Sequence, residues 1–327
     1  MNYHRFIILT SFLAFVVILL GAYTRLADAG LGCPDWPGCY GQLTVPPSEE
    51  HVVEKHYLEQ RALEPDKGWK EMVHRYFAGT LGLFILAITI WSWRRRRRDP
   101  TQPVWLPTLL LALVVFQALL GMWTVTLLLK PVVVMAHLLG GFATLSLLVL
   151  LALQTASRRP LTSTGEWRIA GAVGIVILVA QIALGGWTSS NYAALACLDF
   201  PTCQGSWTPD MDFDEAFVMW RGLGVNYEYG VLEHPARTAI HVTHRIGALV
   251  TFLYLAWLVV GILRADRPLA GAALLVGVLL LVQLALGIGN VLLHLPLGVA
   301  TAHNGVAALL LVSLIYLNYR LWPRRLH

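Results

Sequence analysis

The 327-residue chain is 57% hydrophobic and only 13% charged, about half the charged share of a soluble domain, and its mean hydropathy is +0.62. These figures exclude a disordered chain, a secreted disulfide scaffold and a cytosolic enzyme, and identify a polytopic membrane protein. The net charge of +5 does not signal nucleic acid, because the only dense basic run, Arg94–Arg98, directly follows an apolar segment and has no groove-binding motif or interleaved aromatics.

Apolar windows fall in chain order at about 6–24, 72–93, 105–128, 131–153, 168–188, 239–263, 269–292 and 297–320, each long enough to cross a bilayer as a helix. The first could pass for a signal peptide. Its apolar core is too long for one, however, and Thr24-Arg25-Leu26 stands where a small-residue cleavage site would be, so it reads as a retained helix. Orientation follows from the cations. Arg5, Arg94–Arg98, Arg158, Arg159, Arg168, Arg264, Arg267, Arg320, Arg324 and Arg325 give one side 14 positive charges against 3 negative, leaving 10 and 16 for the other. Both termini are therefore expected in the cytoplasm, with two long loops, roughly 25–71 and 189–238, outside.

The chain repeats itself. Gly21-Ala22-Tyr23-Thr24 recurs as Gly185-Gly186-Trp187-Thr188, and Cys33-Pro34-Asp35-Trp36-Pro37-Gly38-Cys39 as Cys197-Leu198-Asp199-Phe200-Pro201-Thr202-Cys203, both 164 residues later. His74-Arg75 recurs as His244-Arg245 after 170 residues and His137 as His303 after 166. Within each half the hairpin repeats again: Gly121-Met122-Trp123-Thr124 and Gly287-Ile288-Gly289-Asn290 each end 13 residues before a histidine. The expectation is an all-α membrane protein of eight transmembrane helices, built as two tandem pseudo-symmetric four-helix bundles, 1–160 and 161–327.

Odd helices thus end outside in a small-aromatic-polar signature, and even helices begin outside with a histidine. His74, His137, His244 and His303 are expected in the first two helical turns, some 5–10 Å below the outer surface at ~1.5 Å per residue. One intramembrane histidine is most simply a hydrogen-bonded residue between helices. Four at matched depth, two per half on non-adjacent helices, suit a flat ligand whose metal takes two axial nitrogens, namely haem. A zinc or di-iron site would want further ligands, and only helix two has a Glu-x-x-His pair, Glu71 and His74. Gly79, Gly140, Gly141, Gly247 and Gly305 would let a macrocycle approach the backbone, or serve ordinary helix packing.

The halves differ three residues before the first histidine, where Glu71 is matched by His241. Glu71 shares the His74 face and could accept a proton or orient water beside a haem pocket; a solvated helix-start carboxylate explains it equally well. Arg75 and Arg245 could pair with haem propionates or snorkel at a helix end. Tyr23, Trp123 and Trp187 read as interface-belt aromatics first and pocket walls second. All four cysteines lie in outer loops, where Cys33–Cys39 and Cys197–Cys203 are expected as disulfides. Either bridge is a loop staple or a redox centre, and the small entropic gain from so short a ring leans towards exchangeable bonds.

With Glu71-Met72-Val73-His74-Arg75, the loop Gly30-Leu31-Gly32-Cys33-Pro34-Asp35-Trp36-Pro37-Gly38-Cys39, and His137, His244-Arg245 and His303 in place, the chain resembles the haem A synthase family along its whole length. The resemblance implies an oxidoreductase of cytochrome oxidase assembly that oxidises the C8 methyl of haem O to a formyl group by two successive hydroxylations. It implies that His74 and His137 bracket the substrate haem, that His244 and His303 ligate a permanent haem b, and that Glu71 is the catalytic carboxylate. It links the first-loop cysteines to activity or haem handling, while the second pair occurs in only part of the family. It also implies a bacterial cytoplasmic (inner) membrane location, with the Cys-bearing loops on the periplasmic or outer side. Haem O, haem O synthase and oxidase assembly factors are the implied partners, and a homo-oligomer is compatible. Two alternatives remain: a two-haem membrane cytochrome b that only carries electrons, which has no use for the Glu71/His241 difference, and a membrane thiol-disulfide oxidoreductase, which leaves the histidines idle. No G-x-G-x-x-G or Walker A segment points to a nucleotide.

Overall fold

The structure is a computed structural model, and it describes residues 2–156 and 166–322. Arg158, Arg159, Arg324 and Arg325, counted above for orientation, and the expected boundary at 160 lie outside the described residues. The described residues form eight long helices: α1 (Tyr3–Leu26), α2 (Pro65–Arg96), α3 (Trp105–Thr126), α4 (Pro131–Thr155), α5 (Arg168–Ser190), α6 (His234–Ala265), α7 (Ala270–Leu292) and α8 (Leu297–Leu321). All eight are long and apolar enough to cross a membrane. No strand occurs among the described residues, only two isolated bridges, Cys39–Gln42 and Cys203–Ser206.

The helix starts follow local chemistry. Asn2 caps α1 by accepting the Arg5 N–H, and Pro at the first turn opens α2, α4 and α6, where its missing N–H has no helical partner to lose. Six helices match the expected windows closely. Two do not: α2 begins at Pro65 and α6 at His234, several residues above the apolar windows. Residues 65–71 are too polar to register as apolar, yet they continue the helix into the outer loop. His74 is consequently the tenth residue of α2 and His244 the eleventh of α6, in the third turn rather than the first two, while His137 and His303 are each the seventh.

Packing follows a ring in each set of four. Helix α1 packs on α2 and α4, and α3 on α2 and α4; the same pairs recur as α5 on α6 and α8, and α7 on α6 and α8. The sets meet through α1–α8, α4–α5 and α4–α8. Large apolar side chains such as Leu83, Val176 and Leu281 remain exposed on the outside, as a lipid solvent permits. Inside, Ile7, Ile85, Leu148, Leu258, Leu310 and Leu317 belong to one buried cluster. Some polar groups there pair between helices: Thr89 donates to the Pro107 carbonyl at 2.9 Å and Asn318 Nδ2 to the Gly171 carbonyl at 3.0 Å.

Candidate functional site

Each of the four histidines packs on the glycine that ends the preceding odd helix. A methyl group built on Gly21 would lie 2.9 Å from His74 Cε1. On Gly121 it would lie 3.4 Å from His137 Cε1, on Gly185 3.3 Å from His244 Cε1, and on Gly287 3.2 Å from His303 Cε1. The small residue of the repeated signature is therefore the seat of an imidazole. The glycines that follow the histidines serve elsewhere: Gly140 and Gly247 receive the side chains of Gln117 and Gln181, and Gly141 and Gly305 lie against Ile18 and Leu19 of α1. Gly79 has open space before it.

His74 and His137 lie on α2 and α4, which occupy opposite corners of the first ring of helices, and their ring centroids are 6.4 Å apart at an interplanar angle of 84°. A first-row metal held between two imidazole nitrogens at about 2 Å each separates those nitrogens by about 4 Å; adding the distance from nitrogen to ring centre brings the centroids to about 6 Å. The observed pair has that separation. All four imidazoles are half-buried. Nδ1 of His74, His137 and His303 is buried without a hydrogen bond of normal geometry. Among the described residues no three His, Cys, Asp or Glu side chains converge on a metal-sized site. The donor set thus fits a flat macrocycle with two axial nitrogens better than zinc or di-iron.

Glu71 is 5% exposed, and its carboxylate bolts the first disulfide loop to α2. It accepts the Cys33 N–H at 2.9 Å and pairs with Arg75 at 2.5 Å. Arg75 continues outward, donating to the carbonyls of Asp35 at 3.0 Å, Pro37 at 3.2 Å and Gly38 at 2.5 Å. Arg245 does the same in the second half, with the Asp199 and Thr202 carbonyls each at 2.8 Å. In this structure both guanidiniums are engaged as loop seats, a third arrangement beside propionate pairing and snorkelling. His241, at the position matching Glu71, is buried and bonds the Ala193 carbonyl through Nδ1 at 2.9 Å.

Both disulfides are formed, with Cα atoms 4.8 Å apart in each, and all four cysteines are buried. Each loop is wound around one aspartate. Asp35 accepts the Tyr40 and Gly41 N–H groups at 2.6 and 3.0 Å, and Asp199 accepts those of Gln204 and Gly205 at 2.6 and 3.0 Å. The Thr202 hydroxyl and the Gly205 N–H hold the Asp199 carboxyl down at about 2. Burial pushes the Tyr40 phenol up to about 12, and its hydroxyl donates to Ala62 at 2.9 Å. Buried sulfurs are shielded from an attacking thiolate, which weighs towards staples and against freely exchanging bonds. Trp187 is no belt residue: it is 4% exposed and its Nε1 donates to Ala216 at 2.9 Å within the outer loop.

The long second loop does not stay over its own half. Tyr227 donates its N–H to Leu128 at 3.0 Å, in the turn between α3 and α4, and Glu228 binds both terminal nitrogens of Arg61 at 2.9 Å. Lys67 donates to the Tyr229 hydroxyl, and Lys130 reaches the Gly222 carbonyl with its ammonium over the Trp220 ring. Sequence reasoning had no role for these residues, because nothing in a loop's composition says which half it crosses.

Residues 4–315 match the family described as cytochrome oxidase assembly protein. Similar curated proteins include the "Heme A synthase" of Shewanella oneidensis, 48% identical over 320 residues that cover 97% of this chain and 96% of the relative. Those of Shouchella clausii and Caulobacter vibrioides are each 28% identical, over 94% and 91% of this chain and 92% and 90% of theirs.

Proposed function

The chain belongs to the haem A synthase family of cytochrome oxidase assembly proteins, and from that premise we propose that it oxidises the C8 methyl of haem O to a formyl group, in two hydroxylations, within a bacterial cell membrane. His74 and His137 bracket the substrate haem. His244 and His303 ligate a permanent haem b. Both termini lie in the cytoplasm and the disulfide loops face the periplasmic or outer side. Haem O synthase and oxidase assembly factors are its partners in supply and delivery.

The observation that carries the reading is the pair of imidazoles 6.4 Å apart across the first ring of helices, with the buried carboxylate of Glu71 one turn from His74 on the same helix. When bound, a haem iron between two such imidazoles supplies one-electron chemistry that no side chain here can perform. The protein's residues do the rest. Gly21 and Gly121 let the imidazoles approach the odd helices and fix their depth. Glu71, held by the Cys33 N–H and Arg75, presents an acceptor oxygen at a fixed point one turn above His74 and takes up a proton there. The disulfide loop and the crossing strap of the second loop cover the outer end of the first half and limit water access. An electron-carrier reading has no use for the Glu71/His241 difference, and a thiol oxidoreductase reading requires accessible sulfurs.

Substitution separates these roles. Glu71→Gln is expected to keep bound haem and lose turnover, whereas His244→Ala or His303→Ala empties the low-spin cofactor site. Full activity in Glu71→Gln, or an intact low-spin spectrum in both histidine variants, contradicts the assignments.

A further inference from the structure

The end of the bundle away from the histidines carries more charge than helix orientation requires. At about 1.5 Å per residue, Arg94 lies about 30 Å along α2 from His74. The α2–α3 turn there is preceded by the arginine run Arg94–Arg98, whereas the matching α6–α7 turn makes do with Arg264 and Arg267 around Asp266. Beside the run, α2 and α3 enclose a groove of about 550 Å³, the size of a small-ligand site. Leu86, Ile90 and Leu111 form its apolar wall, and Arg94, Arg96 and Arg97 its rim. Contacts between the two helices fix its shape. Thr89 donates to the Pro107 carbonyl at 2.9 Å and Ser92 to that of Pro103, while Trp93 Nε1 donates to the Thr108 hydroxyl at 3.1 Å and so holds the indole at the groove. Arg96 gives one donor to the Gln102 carbonyl at 3.0 Å. All three rim arginines are exposed, and among the described residues none of them forms an ion pair.

Leu86, Ile90, Trp93, Arg94 and Arg97 recur at helical spacing, so one face of α2 passes from aliphatic through aromatic to cationic as the helix leaves the apolar layer. That is the order of a phospholipid from acyl chain to phosphate. The corresponding face of α6 has Leu263 in place of Trp93, and Asp266 in place of Arg96 beside it. Guanidinium forks bind phosphate oxygens in pairs, and an unpaired cluster of them attracts an anion. A free phosphate would use the rim and leave the apolar wall empty, and a zwitterionic lipid would bring its own cation up to the arginines. We propose that this groove binds one anionic phospholipid, its phosphodiester on Arg94, Arg96 and Arg97 and an acyl chain along Leu86, Ile90 and Leu111, with Trp93 at the headgroup level. The site stands apart from the histidines and is independent of the haem assignment.

The test is native mass spectrometry of the full chain in detergent, titrated with dioleoylphosphatidylglycerol or dioleoylphosphatidylcholine, which share acyl chains and differ in headgroup. Wild type is expected to hold one phosphatidylglycerol about 100-fold more tightly than phosphatidylcholine, at about fivefold for each rim arginine. Arg94→Gln combined with Arg97→Gln should weaken phosphatidylglycerol by about 25-fold on the same scale. Ile90→Trp, which fills the groove and keeps every charge, should weaken it as well. Arg264→Gln combined with Arg267→Gln should leave it unchanged. Equal retention of the two lipids overturns the inference, and so does unchanged binding in Ile90→Trp. Equal weakening by the two arginine pairs would show charge without a site, and displacement of the lipid by an equal concentration of inorganic phosphate would show an anion site without a lipid; either result overturns it too. The comparison of headgroups on the wild type needs no substitution and decides the matter if a variant fails to fold.

Discussion

Removing the Glu71 side chain should unfasten the first disulfide loop before it does anything else to the fold. In Glu71→Ala the buried Cys33 N–H loses a charged acceptor at 2.9 Å, a bond type that contributes about 1.5–3 kcal/mol. The same change breaks the 2.5 Å pair with Arg75, whose two side chains are 12% and 6% exposed. Arg75 keeps its three loop carbonyls, so the second loss is partial, about 1 kcal/mol. Together these lower the free energy of local opening by about 3 kcal/mol, which at about 1.4 kcal/mol per tenfold is about 100-fold. The assay is the rate at which dithiothreitol reduces Cys33–Cys39, read by alkylation and mass spectrometry, with Cys197–Cys203 as the internal control. Glu71→Gln retains a neutral acceptor for the Cys33 N–H and should accelerate reduction only about tenfold. If the Glu71→Ala loop is reduced within twofold of the wild-type rate, the carboxylate does not hold the loop and the argument fails.

The remaining predictions concern separate contacts. Alanine at the histidine seats should displace His74 most and His137 least, because the added methyl would come within 2.9 Å at Gly21 but 3.4 Å at Gly121; bound-haem spectra of the two variants should rank in that order, and equal effects would count against the seats. Arg61 and Glu228, 17% and 10% exposed, should show a coupling of about 1–2 kcal/mol in a double-mutant cycle that scores proteolysis of the second loop, and additive losses would contradict it. The Asp199 carboxyl is held below its unfolded value, so the stability it lends is present above about pH 4 and is lost as pH falls through about 2. Protection of Cys197–Cys203 against a phosphine reductant should therefore stay level from pH 6 to 4, and Thr202→Val, which removes the largest cause, should begin to lose it at higher pH. Loss of protection in the wild type between pH 5 and 4 would refute this.

Much of this was legible in the sequence for one physical reason: a bilayer makes apolar length and charge placement nearly sufficient to find helices. All eight spans were readable, and so were the four histidines and both cysteine pairs, because each recurs at matched spacing. What hydropathy cannot see is a helix that continues into water, so the outer turns of α2 and α6 were missed. Side-chain partners across helices were missed too. The Glu71 bond to Cys33 spans 38 residues and the Arg61–Glu228 pair 167, and neither follows from local spacing. The histidine seats lie within reach of the sequence, because Gly21, Gly121, Gly185 and Gly287 stand in the repeated signature.

The central claim, conversion of haem O into haem A, is tested most directly by the haems themselves. The protein and a catalytically silenced Glu71→Gln variant are produced in cells that supply haem O but otherwise lack this step, and the extracted haems are separated by chromatography with mass detection. Wild type is expected to yield haem A, and the variant haem O alone although it retains haem b. Haem O persisting unchanged beside a folded, haem-loaded wild-type protein would contradict it and leave an electron carrier in its place.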